Sequence, residues 1–182
     1  MASTMVSVSA QASVDEAQAT YNKRSIVVGA GCFWGVEKMF SEIVGVIDVV
    51  SGYANGQGVD ATYQAITLPS NRMNPNNHTE VVRITYNANV VNLRAILESF
   101  FEYHDPTQVN RQGNDIGTQY RSMILTTDLE QIKVANKTLT EYQILLSKAG
   151  FGQIVTEITP LTQFTSAESY HQDYLQKNPN GY

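Results

Sequence analysis

A short β-branched strand that runs through glycines straight into an amphipathic helix is the feature that most constrains this fold. Residues 25–28 predict the strand, and apolar residues then recur at the helical spacing i, i+3 and i+4, at Phe33, Val36, Phe40 and Ile43 or Val44. Between them, residues 29–35 contain the only cysteine and the only tryptophan of the 182 residues, Cys32 and Trp34. The sequence therefore predicts a strand-turn-helix unit with its single thiol at the start of the helix.

Further strands and helices alternate along the rest of the chain. Strands are predicted over residues 46–51, 78–86, 119–126 and 153–158. A second amphipathic helix ends at Asp105-Pro106, after the apolar stripe Leu93, Ile96, Leu97, Phe100 and His104. The polar stretch of residues 55–77 is longer than a simple connection needs, which favours a functional loop or a covering flap.

Two Thr-x-x-Glu patterns predict the starts of two more helices. The first joins Thr127 to Glu130, and the second joins Thr165 to Glu168. The complete order of elements predicts an α+β fold, specifically a ferredoxin-like split β-α-β sandwich with additional helices and a long C-terminal segment.

Composition excludes several classes of protein. Twelve basic and seventeen acidic residues give a net charge of −5 without any basic run, so nucleic acid is not an expected partner. No segment approaches the roughly 20 apolar residues of a membrane helix. A single cysteine cannot form an internal disulfide, and no Cys/His cluster has zinc spacing. We therefore expect neither a bound metal nor a bound cofactor.

The chain is long enough for one sizeable hydrophobic core. We expect a flexible tail over residues 1–23 and a single domain over residues 24–182. The tail is rich in Ser, Ala, Thr and Gln, and it lacks both a basic residue before Lys23 and an apolar central run, so it does not resemble a signal peptide. A cytoplasmic monomer is the default expectation.

Two interpretations of Cys32 are open from its position alone. The start of a helix favours the thiolate and lowers a cysteine pKa from about 8.5 towards the range ~3.5 to 7.5, which would make Cys32 a nucleophile. The alternative is a buried cysteine that packs as a small hydrophobe.

Glu80 also has two interpretations. Strand alternation places it on one face with Val82, Ile84 and Tyr86. If that face is the core side, desolvation raises the pKa of Glu80 and keeps it protonated nearer neutral pH. The alternative is a solvated carboxylate just outside the core.

Several motifs of this chain resemble those of methionine sulfoxide reductase A. They are Gly-Cys-Phe-Trp-Gly at residues 31–35, Gly-Tyr at 52–53, Thr-Tyr at 62–63, His-Thr-Glu-Val-Val at 78–82, His-Asp-Pro at 104–106, Gln-Gly-Asn-Asp-Ile-Gly-Thr-Gln-Tyr-Arg-Ser at 112–122, Tyr-His-Gln-Asp-Tyr-Leu at 170–175 and Lys-Asn-Pro at 177–179. The resemblance covers residues 24–182 in the order of the family. It implies an enzyme that reduces the S epimer of methionine sulfoxide, free or in proteins, to methionine.

The resemblance also implies a role for each matching residue. Cys32 is the nucleophile that attacks the sulfoxide sulfur, and Glu80 is the acid that protonates its oxygen. The hydroxyls of Tyr63 and Tyr120 bind that oxygen. The remaining matches are Asp115, which organises polar groups and water, and the aromatic wall of Phe33 and Trp34, which receives the methyl group on sulfur.

The expected product on Cys32 is a sulfenic acid, which must be reduced before the next turnover. Many relatives use a second cysteine in a glycine-rich C-terminal tail, whereas this sequence ends at Tyr182, where the first such cysteine commonly follows. The alternatives are a one-cysteine enzyme and a shortened chain. The expected reductant is an external thiol, such as thioredoxin, glutaredoxin with glutathione, or dithiothreitol. The loop of residues 68–77 is also longer than in many relatives.

Two functions of other classes compete with this one. A cysteine hydrolase pairs its cysteine with a histidine, and His78, His104 and His171 are available. A non-catalytic module would use Phe33 and Trp34 to bind methionine-like side chains.

Overall fold

The computed structural model describes residues 21–182. The predicted tail lies outside the described residues except for its last three, and Lys23 is already the first residue of a strand. Among residues 21–182, none of the helices combines the length and the apolar composition that crossing a membrane requires.

The order of elements follows the predicted alternation. The strands are β1 (Lys23–Ala30), β2 (Val46–Ala54), β3 (Thr79–Asn87), β4 (Arg111–Gln112), β5 (Asp115–Ile116), β6 (Ser122–Thr126), β7 (Glu157–Pro160) and β8 (Phe164–Ser166). The α-helices are α1 (Phe33–Ser41), α2 (Tyr63–Ile66), α3 (Leu93–Tyr103), α4 (Leu129–Lys148) and α5 (Tyr174–Lys177). Three short 3-10 turns cover Pro69–Asn71, Thr118–Tyr120 and Ser169–His171.

Six strands form one sheet in the order β7-β6-β1-β3-β2-β8, and β4 and β5 pair separately. All neighbours in the large sheet are antiparallel except β6 and β7, which are parallel. Helix α1 connects β1 to β2, and α3 connects β3 towards β6. The predicted α+β class is confirmed. Because β1 lies in the interior of the sheet, the turn after it lies where the central strands end rather than beside an outer strand.

The two faces of the sheet carry cores of different size. The larger core contains Val28, Val82 and Ile84 from the strands, Phe40 from α1 and Phe100 from α3. The opposite face carries a smaller cluster: Val27, Ala54, Val81, Met123 and Leu125. The face that Glu80 shares with Val82, Ile84 and Tyr86 is therefore the helix-covered core face, as the first interpretation of Glu80 requires.

Several predicted boundaries are wrong. The strand of residues 119–126 begins only at Ser122, because the preceding residues form a 3-10 turn. The strand of residues 153–158 is shifted to Glu157–Pro160, where it pairs with β6. The loop of residues 55–77 contains α2 and a 3-10 turn.

Both predicted capping boxes are also wrong. Helix α4 is capped by Asp128, whose Oδ1 accepts a 2.8 Å hydrogen bond from the amide N–H of Gln131. The second pattern opens no helix, because Thr165 lies in β8, where it pairs with Tyr53. Strand pairing at the edge of β2 therefore prevails over a local helix-start signal.

Replacing the true cap should destabilise the protein. Asp128→Ala removes the acceptor for an amide at the start of α4, and we expect the free energy of unfolding to fall by about 1 kcal/mol. Glu130→Ala, at the other end of the predicted box, should cost less than half as much. Urea denaturation of both variants measures the difference, and equal losses would contradict the assignment of Asp128 as the cap.

Candidate active site

A glycine turn places Cys32 just after the C-terminal end of the central strand β1. Gly31, after the last residue of β1, has φ +91°, and a Cβ there would lie 2.8 Å from the Cβ of Gln112. Only glycine fits this conformation and this close approach. Cys32 is the N-cap residue of α1, and its thiol caps no backbone amide. The predicted position of the thiol at the start of the helix is confirmed.

The thiol opens into a cavity of about 640 Å³, whose lining includes Tyr103, Asn114, Asp115 and Tyr182. A second, polar cavity of about 410 Å³ shares Asn114 and Asp115 and adds Tyr63 and Tyr120. The hydroxyl of Tyr182 donates a hydrogen bond to Asp115 Oδ2. The fold thus brings together four residues that are far apart in the sequence and were singled out from it: Cys32, Tyr63, Asp115 and Tyr120.

Glu80 lies against the same site from the core side. It is 2% exposed, it faces Tyr53 across the β2–β3 pairing, and its Oε2 has no hydrogen-bond partner among the described residues. Burial, with the nearby charge of Asp115, raises the pKa of Glu80 well above its usual value. The solvated alternative is wrong, and the raised pKa favours the neutral form of the carboxyl group.

The thiol itself is also neutral in the absence of substrate. Burial is the largest effect and raises the pKa of Cys32 to about 12, with Glu80 and Asp115 acting in the same direction. The backbone amides of Trp34 and Gly35 lower the pKa, as predicted for a helix start, but they are outweighed. The prediction of a resting thiolate is therefore wrong, because the loss of water around the sulfur exceeds the stabilisation from the helix.

An aromatic cluster forms beside the thiol. Trp34 stacks on Tyr174 with ring centroids 3.7 Å apart, and its Nε1–H donates to His171 Nδ1 at 3.0 Å. Phe33 is only 1% exposed and packs beneath, against Tyr53 and His171. Of the two predicted wall residues, Trp34 is the more exposed and Phe33 supports it from the core.

The C-terminal segment completes this cluster through contacts that the sequence did not reveal. The Glu168 carboxylate accepts hydrogen bonds from the hydroxyls of Tyr53 and Tyr170 at 2.8 and 3.0 Å and from the amide of Tyr63 at 3.3 Å. It thus ties the segment to the start of α2. The Thr-x-x-Glu pattern had predicted only a local capping contact for Glu168.

A second carboxylate holds the same segment to α1. Glu37 is 2% exposed, and it accepts hydrogen bonds from Ser51 Oγ at 2.7 Å and from the Asp173 amide at 2.5 Å. The only sequence signal for this role was a carboxylate near the apolar stripe of α1. Trp34, three residues earlier on the helix, is thereby held close to the residues that cover it.

None of the three histidines is hydrogen-bonded to Cys32. His78 bonds the Gly56 amide and the Val59 carbonyl, and His104 bonds the Phe100 carbonyl and Ser122 Oγ. His171 accepts from Trp34. The Cys/His pair that a cysteine hydrolase needs is therefore not formed in the part of the chain that the structure describes.

Comparison with known proteins identifies the family. The family model for peptide methionine sulfoxide reductase matches residues 24–182. The chain belongs to the peptide methionine sulfoxide reductase family. A relative from Vibrio vulnificus, peptide methionine sulfoxide reductase MsrA, is 43% identical over 166 residues, which are 91% of this chain and 77% of the relative. The predicted family membership is confirmed.

Solved structures of the family share the fold. Methionine sulfoxide reductase A of Corynebacterium diphtheriae superposes with a TM-score of 0.79 at 39% identity, covering 88% of this chain and 77% of the other. Mxr1 from Saccharomyces cerevisiae gives 0.78 at 35% identity in its reduced form (89% and 91% covered) and 0.57 at 25% identity in complex with Trx2 (85% and 88% covered). The protein is thus a thiol-dependent peptide methionine sulfoxide reductase, and the hydrolase and binding-module alternatives are wrong.

The raised pKa of the thiol has a direct test. Because the native pKa of Cys32 is about 12, iodoacetamide should alkylate the folded protein at least roughly tenfold more slowly at pH 7.5 than the urea-unfolded protein, whose thiol has a pKa near ~8.5. The rate should keep rising above about pH 10. Mass spectrometry reads the single site, and a native rate that levels off below about pH 9 would contradict the assignment.

Proposed function

We propose that Cys32 attacks the sulfur of the S epimer of methionine sulfoxide while Glu80 protonates the sulfoxide oxygen. The attack forms a bond between Sγ of Cys32 and the sulfoxide sulfur. That bond and the original sulfur–oxygen bond then break as the protonated oxygen bonds to Sγ, so the products are methionine and a cysteine sulfenic acid, and the proton lost by the thiol replaces the one that Glu80 gave. The observation that carries this proposal is the buried, neutral carboxyl of Glu80 beside the only thiol of the chain. A neutral carboxyl is the form that can donate a proton.

The backbone amides of Trp34 and Gly35 lower the pKa of Cys32 and so favour the attacking thiolate. Because Glu80 is neutral in this proposal, its charge does not oppose the thiolate. Burial also raises the pKa of Tyr63 and Tyr120, so both hydroxyls keep their protons and can donate hydrogen bonds to the sulfoxide oxygen. Asp115, which bonds Tyr182 and lines both cavities, orders the polar side of the site.

The aromatic wall supports selection of one epimer. The indole of Trp34, fixed by Tyr174 and His171, forms the apolar surface for the methyl group on sulfur, and the buried ring of Phe33 supports this surface from the core side. With the methyl group on this wall and the oxygen at Tyr63 and Tyr120, only one hand of the sulfoxide directs its sulfur to Cys32.

The sulfenic acid is proposed to be reduced by an external thiol. The described residues hold one cysteine, Cys32, so they supply no resolving partner. The complex of yeast Mxr1 with Trx2 supports a thioredoxin-type reductant for this chain. Glutaredoxin with glutathione, or dithiothreitol, is the alternative donor of the same two electrons.

We also propose that residues 24–182 act as one catalytic domain on a ferredoxin-like split β-α-β scaffold. The order β6-β1-β3-β2 in the sheet, with α1 and α3 as the connecting helices, supports this description. A monomeric state and a cytoplasmic location stay predictions.

The nucleophile is tested by a single turnover without reductant. The unaltered protein mixed with methionine S-sulfoxide should gain one oxygen atom at Cys32 and release one methionine, whereas Cys32→Ser should do neither and should keep the circular dichroism of the fold. The R epimer is the matched control substrate. Release of methionine by Cys32→Ser, or equal use of both epimers, would contradict the proposal.

The acid is tested by its pH dependence. Glu80→Gln keeps the size of the side chain but loses the acid. At pH values where Glu80 of the unaltered protein is neutral, oxygen transfer by the variant should therefore be slower by roughly 10²- to 10⁴-fold. Since the pKa of Glu80 is raised, that form prevails at low and neutral pH. The ratio of the two rates should therefore shrink as the pH rises through the pKa of Glu80.

Single-turnover rates measured between about pH 5 and 10 provide the comparison. Glu130→Gln removes an exposed carboxylate from α4 and is the matched control, which should behave like the unaltered protein. A Glu80→Gln variant with an unchanged rate would remove Glu80 from the mechanism.

A further inference from the structure

The second, polar cavity extends past the two tyrosines that are proposed to bind the sulfoxide oxygen. It shares Asn114 and Asp115 with the Cys32 cavity and is lined further by Tyr63 and Tyr120. Arg72 lines the same cavity. With the sulfoxide oxygen at Tyr63 and Tyr120, as proposed, the neighbouring parts of the substrate would lie within reach of this cavity.

Arg72 is held there by the backbone of a neighbouring segment. Its Nε donates to the Ile116 carbonyl at 3.2 Å, and its own carbonyl accepts a hydrogen bond from the Thr118 amide at 2.7 Å. Thr118 Oγ1 also donates to the carbonyl of Asn71 at 3.0 Å. The loop is thus fastened to the segment that carries Asp115 and Tyr120, which keeps the guanidinium beside the cavity although its side chain is exposed.

The guanidinium has no acidic partner. The ion pairs among residues 21–182 join Lys38 to Glu42 and Arg94 to both Glu98 and Glu141. Asp115, the acidic residue in the cavity wall, already accepts a hydrogen bond from Tyr182. The only other lining side chain of the two cavities that can carry a positive charge is His104, whose pKa burial lowers to about 4. Among the described residues that line the two cavities, Arg72 is therefore the one side chain with a positive charge near neutral pH.

We propose that Arg72 is a specificity-determining residue that binds a carboxylate of the molecule carrying the sulfoxide. A planar guanidinium recognises a carboxylate through paired hydrogen bonds. The carboxylate belongs to an acidic side chain near the oxidised methionine in a polypeptide or to the α-carboxylate of free methionine sulfoxide. This inference rests on the proposed function, because the sulfoxide at Cys32 determines where the carboxylate lies.

The test compares capped peptides that differ only in charge. Each peptide has methionine S-sulfoxide at its centre and either glutamate or glutamine before or after it, and dithiothreitol is the reductant. For the unaltered protein, kcat/KM should be roughly two- to five-fold higher for a glutamate peptide, as an exposed ion pair allows. The difference should lie mainly in KM and should shrink with added salt.

Variants assign this preference to the guanidinium. Arg72→Gln should abolish it, and Arg72→Glu should reverse it. Lys133→Gln removes one positive charge from the exposed side of α4 and should leave the preference unchanged. A further pair, free methionine sulfoxide and its N-acetyl amide, shows whether Arg72 recognises the α-carboxylate instead.

The outcomes separate this inference from the function on which it rests. If the unaltered protein shows no charge preference in either set of substrates, or if Arg72→Gln keeps the preference, the carboxylate site is wrong although sulfoxide reduction stands. If the unaltered protein reduces none of these sulfoxides, the proposed chemistry at Cys32 fails first.

Discussion

Exclusion of water from one carboxyl group and one thiol is the constraint on which this active site depends. Glu80 continues an apolar row on the core face of β3, so the sheet that forms the core also buries the acid. Cys32 lies at the end of the neighbouring strand β1 and loses its water to the same packing. Burial thus raises both pKa values and favours the neutral form of each group, which is the form that the proposed oxygen transfer starts from.

The aromatic cluster around Trp34 is completed by the C-terminal segment, which crosses back over α1 and α2. Glu37 and Glu168 bind it at two places, through the amide of Asp173 and through the hydroxyls of Tyr53 and Tyr170. These contacts position His171 and Tyr174 against Trp34. The aromatic cluster around Trp34 thus depends on two carboxylates that do not line the Cys32 cavity.

The sequence predicted the parts of the protein that local pattern controls. The glycine turn before Cys32, the apolar stripe of α1 and the alternation around Glu80 were sufficient for the position of the thiol and for the face that carries the acid. The family motifs then named Tyr63, Asp115 and Tyr120, which only the fold brings to one cavity. Their assignment from the sequence therefore rested on resemblance rather than on spacing.

The errors arose where distant contacts outweigh local signals. A helix start alone favours a thiolate at Cys32, but burial by residues from other strands reverses that preference. Glu168 occupies a helix-start pattern, yet its carboxylate bonds Tyr53, 115 residues earlier in the chain. The hydrogen bond from Arg72 to the Ile116 carbonyl was likewise invisible, because Ile116 lies 44 residues further along the chain.

The neutral resting thiol has a consequence for survival of the enzyme under the conditions that create its substrate. Peroxide oxidises thiolates far faster than thiols, and repeated oxidation takes cysteine beyond the reversible sulfenic stage. With its pKa at about 12, Cys32 presents little thiolate to a passing oxidant. The same burial that raises the pKa of the thiol thus protects the enzyme from the oxidants that produce its substrate.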